Sequence, residues 1–283
     1  MGIFSGWLLA SDIDGTLMNN GVIDERSKER ISRFVDEGGI FSLSTGRTPG
    51  AVNTVLRQLD RISPSVMGNG TIIYDFKERK LLYNLLLPNE DKFVVKLIKE
   101  NFPYLGIEVH CGVTVYALQK STESDLHQSY EEMYVTDGNV DEIFSEDWTK
   151  VLVALTCKQD HEKIKELIKD IPLHSSLINT AARIDGKDYD YLELVPLGTS
   201  KASALKELCK MMGIEKGRFC AIGDYYNDLE MLKAADISAC PIESPDDIKA
   251  HADLICSKAE DGAVADFIDY IENIIRKETE NGR

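Results

Sequence analysis

Short apolar runs alternate along this chain with segments whose apolar residues recur every three or four positions. WLLAS (7–11) reads as a strand. A helix follows from about Asp24 to Asp36, with Ile31, Phe34 and Val35 on one face and Gly38-Gly39 ending it. IFSLS (40–44) reads as a second strand. Thr48 and Pro49 then suit the N-cap and first position of a helix whose apolar face is Val52, Val55, Leu56 and Leu59. PSVMGNG opens a third strand. This β-α-β-α-β order predicts a parallel sheet covered on both faces.

The rhythm changes after Asn69-Gly70. TIIYDF and KLLYNLLL read as a hairpin. From Pro88 to about Asp188, helices near 90–101, 124–134 and 160–170 lie among the strand-like runs GIEVHC, VTVYAL, KVLVALTC and SSLINTA. ARIDGKDYDYLELVP reads as a hairpin turning at Gly186. The alternating pattern resumes at Leu197: a helix over 200–212, the strand RFCAI, a helix over 227–235, ISAC, LICS and a closing helix AVADFIDYIENII. One α/β core is therefore split by an α+β insert.

Strands of an open parallel sheet present ligands at their carboxyl ends. Four clusters sit there: Asp12 with Asp14, Thr45-Gly46-Arg47, Lys201, and Gly223-Asp224 with Asn227 and Asp228. Two carboxylates about 4 Å apart repel by about 4 kcal/mol at an effective dielectric near 20. Three acids converging at one sheet edge call for a hard dication, and oxygen-only ligands with no nitrogen or sulfur among them point to Mg²⁺. Thr45 and the Gly46 N–H suit an anionic oxygen, although a threonine in a strand-to-helix turn is also an ordinary cap. Arg47 reads as a surface residue. Lys201, in the first turn of its helix, opposes the helix dipole, a mild cost that a bound phosphate would offset. Asp228 taken alone reads as a helix-start acid, and Asn227 as a cap or a substrate-side amide.

Bulk properties narrow the field. The chain has 283 residues and a net charge of −16, which disfavours nucleic acid and means an anionic substrate needs a local cation. No apolar run approaches the ~18 residues of a membrane span, and the N-terminal apolar run, which lacks a basic segment, does not read as a signal peptide. Gly6 stands where a myristoylation signal wants Ser or Thr. Six scattered cysteines without a C-x-x-C pair fit reduced thiols in a cytoplasmic protein. The five histidines show no zinc spacing. Gly198-Thr199-Ser200-Lys201 has the wrong order for a P-loop, and no complete G-x-G-x-x-G follows a strand.

Together, Asp12-Ile13-Asp14-Gly15-Thr16-Leu17, Ser44-Thr45-Gly46-Arg47, Lys201 and Gly223-Asp224-Tyr225-Tyr226-Asn227-Asp228 resemble, in this order, the motifs of the haloacid dehalogenase-like (HAD) superfamily of phosphohydrolases. The large insert and VPLGTSKASAL resemble its Cof-type subgroup with a C2 cap (class IIB). The resemblance covers nearly the whole chain. It implies a Rossmann-like, doubly wound core over 1–87 and 189–283 and a mobile α+β cap over 88–188. It implies Asp12 as nucleophile giving an aspartyl-phosphate, and Asp14 as the acid that protonates the leaving oxygen and then activates water. It further implies Thr45, Gly46, Lys201 and Asn227 around the phosphoryl group. Mg²⁺ would be held by Asp12, the Asp14 main-chain carbonyl and Asp224, with Asp228 behind them. The expected activity is Mg²⁺-dependent hydrolysis of a small phosphorylated metabolite, a sugar phosphate for this subgroup. A phosphomutase and a non-catalytic phosphate-binding regulator are the alternatives. In the insert, Arg183, Asp185 and Lys187, and also Tyr191 and His110, are candidates to reach substrate, against the plainer reading of each as solvated surface.

Overall fold

The computed structural model describes residues 2–184 and 187–280. In chain order the strands are β1 Leu8–Ser11, β2 Ile40–Leu43, β3 Ser65–Met67, β4 Ile72–Asp75, β5 Lys80–Asn84, β6 Gly106–Cys111, β7 Thr114–Gln119, β8 Val135–Asp137, β9 Lys150–Ala154, β10 Ser175–Ile184, β11 Lys187–Pro196, β12 Phe219–Ile222, β13 Ile237–Pro241 and β14 Leu254–Cys256. They form three sheets, ordered β14-β13-β12-β1-β2, β10-β11-β9-β6-β7-β8 and β3-β4-β5. The chain divides into two compact units, one of Met1–Gly46, Asn53–Leu82 and Ser200–Arg283, the other of Arg47–Val52 and Tyr83–Thr199.

In the first unit the five-stranded sheet is parallel throughout. Every residue of β1 is buried, as a strand covered on both faces requires. The helix Glu25–Asp36 begins where Asp24 accepts the Ser27 N–H at 2.9 Å, buries Ile31 and Phe34, and packs on the helix Ala263–Glu280. A second pair, Lys201–Met212 and Leu229–Ala234, packs together elsewhere on the unit, the latter against β12 and β13. Arg33 joins Glu272 across the first pair at 2.8 Å.

β3 differs from expectation. It pairs antiparallel with β4, and a single parallel bridge, Ser44 with Val66, links it to the end of β2. Gly68, Asn69 and Gly70 all have positive φ, so the chain reverses at once and no crossover helix follows. The helix expected from Thr48 is a 3₁₀ turn, Pro49–Val52, followed by one α turn, Asn53–Leu56. Gly50 and the β-branched Val52, Thr54 and Val55 are weak helix formers, which suits a short element.

The six-stranded sheet of the second unit has two unlike faces. Ile107, Val109, Val151, Val153, Leu192 and Leu194 belong to one apolar core with Val94, Ile98, Ile164 and Trp148. The alternate positions carry Glu108, His110, Lys150, Tyr191 and Glu193, all buried. Among the described residues no helix is long and apolar enough to cross a membrane, and the six cysteines are free thiols.

Candidate active site

The backbone after β1 sets the first acid. The Asp12 N–H donates to the Ile222 carbonyl at 3.0 Å, extending the pairing of β1 with β12. The chain then turns tightly: the Met18 and Leu17 N–H groups return to the Ile13 carbonyl at 2.8 and 3.0 Å, and Gly15 N–H donates to Met18 at 3.0 Å. Ile13 and Leu17 anchor the turn and are fully buried. Gly15 has φ +82°, and a Cβ there would lie 2.7 Å from Asp224 Oδ2. Glycine thus lets the Asp224 carboxylate approach, and Thr16 Oγ1 donates to Asp224 Oδ1 at 3.0 Å. Asp14 is half-buried in the same turn.

Lys201 occupies the first turn of its helix, behind a Ser200 cap that accepts the Ser203 N–H at 3.1 Å. Its side chain is buried, with Nζ 2.6 Å from Asp12 Oδ1 and 2.6 Å from Asp228 Oδ1. The other oxygen of Asp228 accepts the N–H groups of Asp224 and Tyr225 at 3.1 and 3.2 Å. A Cβ on Gly223 would lie 2.4 Å from Asp228 Cγ, so this position also needs glycine. Asp228 therefore spends both oxygens holding Lys201 and the Asp224 loop. Asp12 Oδ2 and Asp224 Oδ2 accept no hydrogen bond from the described residues.

Asp12, Asp224 and Asp228 offer oxygens that all lie within 4.8 Å of one another. Among the described residues one ammonium, Lys201, bonds two of the three, Asp12 and Asp228. The imbalance is visible in the titration of the group. Burial pushes Asp12 well above the carboxylate range; Lys201 opposes this, while Asp228, Asp224 and Asp14 add to it. Asp224 is pushed up to about 7 by burial and by Asp228, against the Thr16 hydrogen bond and Lys201. Burial alone would lower Lys201, but Asp12 and Asp228 outweigh it and hold the ammonium above the ordinary lysine value. An oxygen-only donor set with surplus negative charge fits Mg²⁺.

Thr45 and Gly46 follow β2, whose end is tied to Asp12's strand by the Ser44 N–H on the Ser11 carbonyl at 2.8 Å. Thr45 is buried; its N–H donates to Val66 at 3.0 Å and its carbonyl accepts the Asn69 N–H at 2.9 Å. Asn227 Nδ2 donates to Asn69 Oδ1 at 3.4 Å. Asn69 was not among the candidates; its one sequence signal is the Gly-Asn-Gly run.

Other expectations need correction. Arg47 is buried, not a surface residue: it donates to the Ala51 carbonyl at 2.9 Å, and its guanidinium lies 5.5 Å from the Tyr130 ring centroid. Of the insert candidates, Lys187 is exposed at the start of β11. The Arg183 side chain and Asp185 lie outside the described residues. Tyr191 and His110 are not solvated; both are buried beside Glu108 and His127, whose Nδ1 is 3.1 Å from Glu108 Oε2.

The profile of the haloacid dehalogenase-like hydrolases matches residues 9–268. The chain is 27% identical over 286 residues to the 5-amino-6-(5-phospho-D-ribitylamino)uracil phosphatase YwtE of Bacillus subtilis, covering 93% of this chain and 97% of that one. It is 25% identical to YitU of the same organism, named for the same activity, over 93% and 96% of the two chains. Among solved structures, a haloacid dehalogenase-like hydrolase from Bacteroides thetaiotaomicron superposes with a TM-score of 0.79 at 23% identity, covering 94% of this chain and 99% of the other. The subclass IIB sugar phosphatase BT4131 gives 0.78 at 18% identity over 94% and 98%, a likeness of fold. Motif order, parallel core and a match running from β1 into the closing helix agree, and this chain belongs to the haloacid dehalogenase-like hydrolases.

Proposed function

We propose that the chain is a Mg²⁺-dependent phosphomonoester hydrolase of small phosphorylated metabolites, acting through an aspartyl-phosphate. The observation that carries this is the Lys201 ammonium, 2.6 Å from both Asp12 and Asp228, which leaves the second oxygen of Asp12 as an uncommitted nucleophile. Mg²⁺ would be held by Asp12, Asp224 and the Asp14 main-chain carbonyl, with Asp228 fixing the Asp224 loop behind it. Bound there, the ion supplies positive charge that lets a carboxylate approach an anionic phosphoryl group.

In the proposed sequence, an Asp12 carboxylate oxygen forms a bond to phosphorus as the bond to the ester oxygen breaks. Asp14 gives its proton to that departing oxygen, releasing the alcohol. A water then attacks phosphorus, Asp14 takes its proton, and the acyl-phosphate P–O bond breaks to return the Asp12 carboxylate and inorganic phosphate. Thr45, the Gly46 N–H, Asn227 and Lys201 hold the phosphoryl oxygens. The residues of 88–188 would act as a cap that selects the alcohol, with Lys187 among the candidates to reach it. The named substrate of YwtE and YitU and the description of BT4131 as a sugar phosphatase both support a phosphate carried on a polyhydroxylated carbon chain.

The test is a panel of sugar, polyol and nucleoside monophosphates assayed with Mg²⁺ and with EDTA, with Asp12→Asn as control. Turnover that needs Mg²⁺ and Asp12 and releases free phosphate is expected. An Asp12→Asn protein as active as its parent, or turnover indifferent to EDTA, overturns the proposal.

A further inference from the structure

The turn Gly68-Asn69-Gly70 carries more than a chain reversal needs. Asn69 is buried, and its φ of 57° and ψ of 25° place a residue with a side chain in the left-handed region. Glycine would adopt this conformation more readily, and glycines occupy both flanking positions. A turn alone gives no reason for a carboxamide here, so the side chain needs its own explanation.

Three separated stretches of the proposed phosphate site meet at this turn. First, the Asn69 N–H donates to the Thr45 carbonyl at 2.9 Å. The carboxamide lies flat against the next residue: a Cβ added to Gly46 would stand 3.1 Å from both Nδ2 and Oδ1 of Asn69. Second, Oδ1 accepts from Asn227 Nδ2 at 3.4 Å. Third, a Cβ on Gly70, whose φ is +103°, would lie 2.1 Å from the Ser200 carbonyl, so the turn rests on the first residues of the helix that carries Lys201. One short turn therefore touches the loop after β2, the helix start holding the buried lysine, and the amide before Asp228.

We propose that Asn69 is a positioning residue for the phosphoryl group: its carboxamide holds the Thr45-Gly46 loop and the Asn227 amide in one arrangement. This rests on the phosphatase reading above. The physical need is clear. Thr45, Gly46 and Asn227 come from different elements, and donors aimed at a trigonal phosphoryl group lose much of their value when displaced by about 1 Å. A side chain wedged between two of them fixes their separation before substrate arrives.

The discriminating variant is Asn69→Gly. It keeps, and relaxes, the left-handed backbone while removing only the carboxamide. A purely structural Asn69 predicts unchanged kinetics and an equal or higher Tm. The positioning role predicts a Tm within a few degrees of the parent, kcat on p-nitrophenyl phosphate lowered by about 10- to 100-fold with Mg²⁺, and orthovanadate inhibition weakened by a similar factor. Asn69→Asp, which keeps size and tolerates the same φ, should also weaken orthovanadate, because it places negative charge beside the loop. It serves as the second variant if Asn69→Gly fails to fold. In a double-mutant cycle with Asn227→Ala, the combined loss should fall short of the product of the single losses. Parent values of kcat, KM and orthovanadate affinity in Asn69→Gly, or losses that multiply as independent factors, overturn the proposal. A parent without turnover on any phosphomonoester would sink the functional reading instead. Thermal-shift binding of orthovanadate to parent and Asn69→Gly would then still decide the role of Asn69, with equal shifts overturning it.

Discussion

Each unit buries a cluster of charged side chains, and the two clusters are balanced in opposite ways. In the first unit Asp12, Asp224 and Asp228 crowd around one ammonium, and the acids Asp12 and Asp224 are pushed upward, chiefly by burial. In the second unit the anions are matched. His127 lies 3.1 Å from Glu108 and 3.5 Å from Glu131, and Lys150 lies 3.3 Å from Glu193. Burial works against Glu108 and Glu131 too, yet their cationic and hydrogen-bonding neighbours win and hold both below the glutamate range. The same carboxylate chemistry at similar depth thus ends in opposite displacements. A cluster that is short of positive charge has room for a cation it does not itself contain, whereas a matched cluster is complete and serves the fold.

The sharpest way to break this contrast is to neutralise one acid in each cluster. Asp12→Asn should lower phosphatase turnover by at least about a thousandfold, about 4 kcal/mol of barrier, with Tm nearly unchanged because Lys201 keeps Asp228. Turnover within tenfold of the parent would remove the first cluster from the chemistry. Glu108→Gln should do the reverse. It leaves the buried His127 cation with only Glu131, at a cost of about 3 kcal/mol in urea unfolding. A loss under about 0.5 kcal/mol would show the second cluster to be dispensable.

Acidity offers a smaller effect with a definite sign. His127 is held up to about 10: burial would lower it, but Glu131 and Glu108 prevail. A raised folded-state value means its stabilisation is full below the unfolded value near 6.5 and is lost as pH climbs toward 10. Glu108 is depressed, so its contribution is full above the unfolded value near 4.5 and fades in acid. His110, lowered by burial and by Lys150, adds to the loss below pH 6.5. In the parent the unfolding free energy should therefore fall between pH 6.5 and 10 by up to about 1.4 kcal/mol per pH unit. His127→Gln should flatten that limb, and equal slopes in the two proteins would contradict the assignment.

The two clusters were not equally legible. Asp12 ends an apolar run, Asp224 follows glycine, and Lys201 and Asp228 stand at helix starts, so a short stretch announces each one before the fold brings them together. The second cluster is written only in alternation. GIEVHC, KVLVA and DYLELV place Glu108, His110, Lys150, Tyr191 and Glu193 opposite the aliphatic residues, which reads as an ordinary wet face. That this face is buried follows from long-range packing, which alternation does not encode. Arg47 escaped for the same reason, since one of its neighbours, Tyr130, is distant in sequence. PSVMGNG reads as the start of a parallel strand, but positive φ at Gly68, Asn69 and Gly70 turns the chain back on itself, and β3 pairs antiparallel with β4 instead. Asn69 was hidden inside that turn.

The smallest effect is the one most specific to a surplus of negative charge. Asp224 is held up to about 7 in the metal-free protein, while an unfolded Asp lies near 3.8. Between these values the folded chain binds a proton that the unfolded chain has released, so the contribution of Asp224 to metal-free stability should decline as pH rises from about 4 to about 7. Asp224→Asn keeps an oxygen for the Thr16 hydroxyl and removes the charge. At pH 7.5 in EDTA it should be about 1 kcal/mol more stable than the parent. Added Mg²⁺ should raise the parent and move the variant much less, because a ligand that binds only the folded state stabilises in proportion to its affinity. The order of the two proteins then narrows or inverts between EDTA and Mg²⁺, whereas Glu108→Gln stays below the parent in both. A variant less stable than the parent in EDTA would mean the three acids are already neutralised by the protein itself, and the distinction between a cluster with room for a cation and a complete one would fail.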